Sequence, residues 1–202
     1  MIRGTHWRAL AFPPAECAAA STGSVAARLA VEVRRSMSEA LTNERWGFES
    51  NCFVCEPRND AGLRIPFFHD QASETVTATF TLDHRFSGAP SYLHGGVLLA
   101  VLDEAMAWAT IAVAHRWAVT GETTTRFEHP GRVGRAYTVT ARITAPVTDD
   151  ASTLAATAEI TDHKDRRCAA SSATFVVLGE AQAADAAGIE VGQFGDGFVR
   201  PT

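Results

Sequence analysis

The chain has 202 residues, of which 46% are hydrophobic and 20% charged, with a net charge of −5. This is enough to bury the core of one domain with appendages, and the acidic balance excludes the basic footprint of a nucleic-acid binder. Four scattered cysteines (Cys17, Cys52, Cys55, Cys168) make no disulfide framework. Pro13, Pro14 and Glu16 interrupt any secretory apolar run, so a reducing cytoplasm is the expected location.

Residues 1–20 read as an irregular leader. From Ser24 to about Trp46, Ala27, Leu29, Ala30, Val33, Met37 and Leu41 interleave with Glu32, Arg34, Arg35 and Glu39. That pattern predicts an amphipathic surface helix, with Ser21 or Ser24 as its N-cap. Leader and helix together make an N-terminal unit over 1–48. Cys52-x-x-Cys55 follows. Zinc needs about four ligands and no second Cys pair or His pair follows; His69 offers a third donor and nothing completes the set. The two cysteines therefore read as a semi-buried thiol pair, and no resident metal is expected. Turn-forming residues 57–62 lead to a strand near Leu63–His69. Glu74–Asp83 alternates cleanly, with Val76, Ala78, Phe80 and Leu82 on one face, and reads as a half-buried strand.

The stretch Ser91–Ala114 is the centre of the chain. It opens with His94-Gly95-Gly96 and continues as good helix formers, interrupted only by Asp103, Glu104 and Thr110. A helix that is apolar all round belongs in the middle of a fold; two adjacent carboxylates near its centre argue against a membrane span. On a wheel of about 100° per residue, Gly96, Ala100, Ala107, Thr110 and Ala114 fall within roughly 60° of Asp103. Leu98, Val101, Leu102, Ala105 and Ala112 point to the opposite side, and Glu104 lies about 100° from Asp103 on another face. A stripe of small residues around one carboxylate lets a ligand or another backbone approach. The Gly-Gly start leaves first-turn N–H groups free to hold a developing oxyanion. His94 and Asp103 stand roughly 13 Å apart along such a helix, too far to cooperate directly within one chain. A site that uses both ends must be completed across a two-fold axis, so an obligate homodimer is expected.

After the helix, residues from about 119 to 129, Tyr137–Pro146, Thr153–Asp162 and Arg167–Leu178 read as strands. Asp149-Asp150 and His163-Lys164-Asp165 supply turns between them. From Gly179 to residue 202 the chain is Ala/Gly-rich with few large apolar residues, and reads as a weakly structured tail. The domain expected over 49–178 is thus strand, strand, long apolar helix and four strands. This is an α+β arrangement in which a curved antiparallel sheet wraps a central helix, with the N-terminal helix as an extra.

LHGGVLLAVLDEA, TTTRFEHPGRVG and CFVCEPRNDAGL resemble segments of the hotdog-fold thioesterases, specifically the PaaI-like acyl-CoA thioesterases, over roughly residues 50–178. Glu56 stands where relatives usually have glycine. The resemblance implies a hotdog fold, a homodimer often paired again into a tetramer, and hydrolysis of an acyl-CoA or related thioester without a cofactor. It puts the catalytic acid, as nucleophile or general base, on Asp103 and the carbonyl-polarising N–H on Gly95. His94 would orient the substrate or hold the preceding loop, with Gly96 beside it at the substrate. A substrate- or water-positioning threonine, counted back from Pro130, falls on Thr120. Coenzyme A carries phosphates, and Arg126, Arg132 and Arg135 are the basic residues expected at the entrance. The chemistry fits an oxyanion donor, a carboxylate and an apolar channel, and no GxSxG elbow offers another nucleophile. A hydratase or dehydratase on the same fold, and a non-catalytic acyl-CoA-binding module, are the alternatives.

Overall fold

The computed structural model describes residues 38–46 and 50–190. Its elements in chain order are β1 (Ser38–Leu41), a 3-10 turn (Asn43–Trp46), β2 (Phe67–Asp70), β3 (Thr75–Thr81), a 3-10 turn (His84–Phe86), β4 (Ser87–Ala89), β5 (Tyr92–Leu93), the central helix (Gly95–Ala112), β6 (Ala118–Phe127), β7 (Ala136–Ile143), β8 (Thr153–Asp162), β9 (Arg167–Val177) and a C-terminal helix (Glu180–Ala187). Seven strands form one antiparallel sheet in the order β1-β2-β3-β7-β8-β9-β6, and β4 and β5 make a small separate ribbon.

The sheet curves round the central helix, giving the expected α+β layering. Alternation decides which face looks inward: Val76, Ala78 and Phe80 from β3, Tyr137, Val139 and Ala141 from β7, and Leu154, Ala156, Ala158 and Ile160 from β8 are all buried. The helix answers with Leu98, Val101, Leu102, Ala105, Met106 and Trp108, also buried. By length and composition alone this helix could cross a membrane, but here the sheet supplies its apolar surroundings.

Two expectations are corrected. Residues 24–37 of the expected N-terminal helix, with its caps, lie outside the described residues, but Ser38–Leu41 within it is a strand, followed by the short 3-10 turn. Ser38–Leu41 pairs antiparallel with Phe67–Asp70, so the ladder hydrogen bonds of an open sheet edge override a helix-like apolar spacing. The chain after Gly179 is not a loose tail throughout. Glu180–Ala187 is a helix that buries Ala183 and Ala184. Alanine is the best helix former and can dock closely without a large side chain, while Gly188 ends the helix at φ 68°.

The β8–β9 turn is held by Asp162. Its carboxylate, with the side chain 6% exposed, accepts from Arg166 Nη2 at 2.6 Å and from the backbone N–H groups of Lys164 and Arg166. The Arg166 side chain first, and those N–H groups second, lower its pKa from 3.8 to about 2. A depressed carboxylate pKa stabilises the fold above the unfolded value and loses that contribution as pH falls through the folded one. Asp162→Asn should therefore lower the urea midpoint clearly at pH 5, and the gap to the parent protein should narrow as both are measured towards pH 2. A gap that stays constant across that window would remove Asp162 from the acid response.

Candidate active site

The central helix begins at Gly95, with His94 as its N-cap in extended geometry. His94 Nδ1 accepts from the Gly96 N–H at 2.9 Å, which requires the ring proton, when the imidazole is neutral, to sit on Nε2. The His94 N–H donates to Phe86 O at 2.9 Å, tying the helix start to the preceding loop. This gives His94 a loop-holding part. The cap takes up the Gly96 N–H, whereas the Gly95 N–H has no acceptor among the described residues. A Cβ placed on Gly95 would lie 3.6 Å from the Phe127 ring, so the end of β6 sits directly against this donor.

Asp103 lies two turns further along, half-buried. Its Oδ1 accepts from Thr120 Oγ1 at 2.8 Å. Thr120 is opposite the buried Phe175 of β9, which puts it on the inner face of the sheet. Phe127 is opposite the buried Ala169 and shares that face. Positions an odd number apart on a regular strand point to opposite sides. A bulge between Thr120 and Glu122 resets the alternation. Gly121 occupies it, where a Cβ would meet Thr174 O at 3.3 Å. The bulge is why one strand can present Thr120 to Asp103 and Phe127 to Gly95.

Thr120→Val keeps the shape of the side chain and removes its donor. For the thioester hydrolysis expected from the sequence, kcat should fall by about ten- to hundredfold with little change in KM, the scale of a lost hydrogen bond to a charged group. Steady-state kinetics together with a thermal melt would separate this from unfolding.

The arginines divide. Arg132 lies next to the helix start: its guanidinium stands 5.3 Å from the centre of the Tyr92 ring, and the two residues are bridged across the backbone. Arg126 is opposite Ala170 and lines a groove of about 530 Å³ on the outer face of the sheet, with Thr124, Thr140, Arg142 and Arg167. It is not brought to Asp103. Arg135 is exposed just before β7.

Glu104 faces neither His94 nor Asp103's partner Thr120. Its carboxylate meets Cys52 and Cys55, the three ligand atoms lying within 4.8 Å of one another. Burial, and then the charge of Cys52, push the Glu104 pKa up to about 8. The Cys52 thiol is pulled down to about 5, mainly by a hydrogen bond from the Cys55 side chain and then by the N–H groups of Cys55 and Val54; the Cys55 thiol is pushed up. The third donor beside the cysteines is thus Glu104 and not His69, a pairing that no local spacing announces.

The Thioesterase superfamily model matches residues 91–146, the segment that holds the helix, β6 and β7. The crystal structure of a thioesterase superfamily protein superposes with a TM-score of 0.59 at 20% identity, covering 78% of this chain and 81% of that one. The chain carries the hotdog fold, and its residues 91–146 are similar to the thioesterase superfamily. Two other hotdog structures are similar over less of the chain. Escherichia coli PaaI, from the phenylacetic acid degradation operon, has a TM-score of 0.48 and 24% identity over 52% of this chain and 74% of its own. A Streptococcus mutans protein bound to acetyl-CoA has a TM-score of 0.49 and 18% identity over 52% and 82%. No curated protein matches the sequence. The hotdog frame explains the all-round apolar helix, whose surroundings are sheet.

Proposed function

We propose that the protein hydrolyses an acyl-CoA, or a related acyl thioester, to the free acid and thiol at a site shared by two copies of the chain. The observation that carries this is the arrangement along β6. The Thr120–Asp103 hydrogen bond lies at one end of the strand and the Gly95 N–H, without an acceptor among the described residues, lies against Phe127 at the other. Within one chain these groups are separated by eight residues of unbroken helix, about 12 Å, whereas a base and an oxyanion donor must both reach one carbonyl.

A second copy resolves the distance. Among the described residues, β6 is the last strand of the sheet and pairs only with β9. It leaves ten residues of free edge, along which Val119 and Phe127 are 47% and 51% exposed. A bare edge of that length is a template for another strand. Two-fold antiparallel pairing centred between Thr123 and Thr124 sets Thr120 of one copy opposite Phe127 of the other. Each Asp103 then faces the partner's Gly95. The donor polarises the thioester carbonyl, and Asp103 supplies the carboxylate that attacks it, directly or through a water it deprotonates. Where water attacks, its proton passes to Asp103 and then to the leaving thiolate as the C–S bond breaks, releasing acid and thiol. Where Asp103 attacks directly, C–S cleavage leaves an acyl–Asp103 anhydride. A water then hydrolyses it, giving the free acid, restoring the carboxylate and supplying the proton that the thiolate takes up. Arg132, whose guanidinium stands beside Tyr92 near the helix start, is the residue this reading gives to the anionic part of a coenzyme A. Dimer pairing into a tetramer, and a cytoplasmic setting, belong to the same reading.

The test is a panel of short, long and aromatic acyl-CoA thioesters, followed with a thiol-trapping dye. Release above background for at least one member is expected. Binding without thiol release across the whole panel would overturn the proposal in favour of a binding module, and hydration of an enoyl thioester without release in favour of a hydratase.

A further inference from the structure

The Cys52–Glu56 turn is built in a manner that the thioester chemistry does not use. Val54 N and Cys55 N both donate to Cys52 Sγ, at 3.3 and 3.5 Å. Two amide donors aimed at one sulfur favour its thiolate, the form that binds metals. The turn is also fixed from outside: Leu63 N donates to Phe53 O at 2.7 Å, Ile65 N to Val54 O at 2.9 Å, and Asn59 Nδ2 to Asn51 O at 3.0 Å. The backbone that carries the two sulfurs is therefore held in place before any ligand arrives.

Glu104 stands opposite on the rigid central helix. No Lys, Arg or His forms an ion pair with it among the described residues, and the cavity wall beside it carries no cationic side chain: Ala107, Trp108, Ile111 and Trp117 are joined there by the uncharged Asn43, Ser50 and Asn51. A carboxylate and two thiols gathered in a wall without a cation repel one another once ionised, and a metal ion between them removes that cost. Sγ of Cys52, Sγ of Cys55 and a Glu104 oxygen lie within 4.8 Å of one another. Tetrahedral zinc, with bonds of about 2.3 Å to sulfur and about 2.1 Å to oxygen, needs ligand atoms about 3.6–3.8 Å apart. Small side-chain rotations close the difference. Two sulfur ligands favour zinc over magnesium or calcium, which take oxygen.

We propose that Cys52, Cys55 and Glu104 bind one zinc ion, with water as the fourth ligand. The water comes from the adjoining cavity of about 380 Å³, which Cys52 and Glu104 themselves line. The ion clamps the cysteine turn onto the central helix one residue beyond Asp103. This site is independent of the thioesterase proposal, and its test needs no substrate.

The untagged full chain, purified in a zinc-containing buffer with a non-chelating phosphine reductant, should hold close to one zinc per chain by elemental analysis. Cobalt in its place should give a thiolate-to-metal charge-transfer band. Glu104→Gln, which keeps the side-chain shape, should weaken zinc binding by about 100-fold or more. The double variant Cys52→Ser/Cys55→Ser should abolish the charge-transfer band, and Cys168→Ser should leave stoichiometry and band intact. Circular dichroism would establish that each variant is folded. Reduced parent protein that takes up no zinc, zinc retained undiminished by the folded double variant, or a Cys52–Cys55 disulfide that forms with zinc in excess would each overturn the site.

Discussion

Replacing Asp103 with asparagine is expected to lower kcat for thioester hydrolysis by about 10²–10⁴-fold, the range that removal of a positioned general base produces. Asparagine has nearly the same shape, and its side-chain oxygen can still accept from Thr120 Oγ1, which donates to Asp103 at 2.8 Å. The helix loses no packing, because the residues that anchor it (Leu102, Ala105 and Met106, all fully buried) point elsewhere. KM and the thermal midpoint should therefore change little, and the loss should appear in kcat and kcat/KM alike. Thiol release from the best substrate of the acyl-CoA panel, measured beside a melt of each protein, checks both halves. A folded Asp103→Asn protein with ordinary turnover would leave the superfamily fold in place and strip this carboxylate of its role.

How much of this could be read from the residues alone differs from element to element. The central helix was legible because its composition is unusual: an apolar run with a Gly-Gly start has few places to go. β8 was legible to both ends, Thr153–Asp162, because alternation and turn residues bound it. β1 was not. Ser38–Leu41 continues a helix-like spacing, and only its pairing to Phe67–Asp70 makes it a strand. The resemblance pointed to Thr120, but its reason, the bulge at Gly121 that turns it to the inner face, is a matter of register against β9 and leaves no local mark. His94 was singled out for the substrate or the preceding loop; its capping of the helix through Nδ1 is a geometry that its type does not favour and that only the backbone reveals. The Glu104–cysteine cluster is farther still from local reading. Wheel geometry separated Glu104 from Asp103 correctly, yet nothing short of the fold shows what waits on that other face.

Removing a single N–H tests the other half of the site. Gly95 is the first residue of the helix, where proline is well tolerated because the N–H has no helical partner. His94, at φ −67° and ψ 133°, already has the extended backbone that a residue before proline prefers. A Cβ on Gly95 would meet the Phe127 ring at ordinary contact, 3.6 Å away. Gly95→Pro should thus fold and dimerise while losing the oxyanion donor, at a cost of about 10²–10³ in kcat. Gly95→Ala, which keeps the N–H and adds a Cβ, should retain most of the activity. The decisive measurement mixes Asp103→Asn with Gly95→Pro after subunit exchange. If each site takes Asp103 from one copy and Gly95 from the other, a mixed dimer has one doubly damaged site and one intact site. Random exchange of equal amounts then restores about a quarter of the parent activity from two nearly inactive proteins. If base and donor came from the same chain, every site in the mixture would carry one lesion and activity would stay at the level of the single variants. Recovery on mixing is therefore the result that the free edge of β6, with Thr120 at one end and Phe127 at the other, requires.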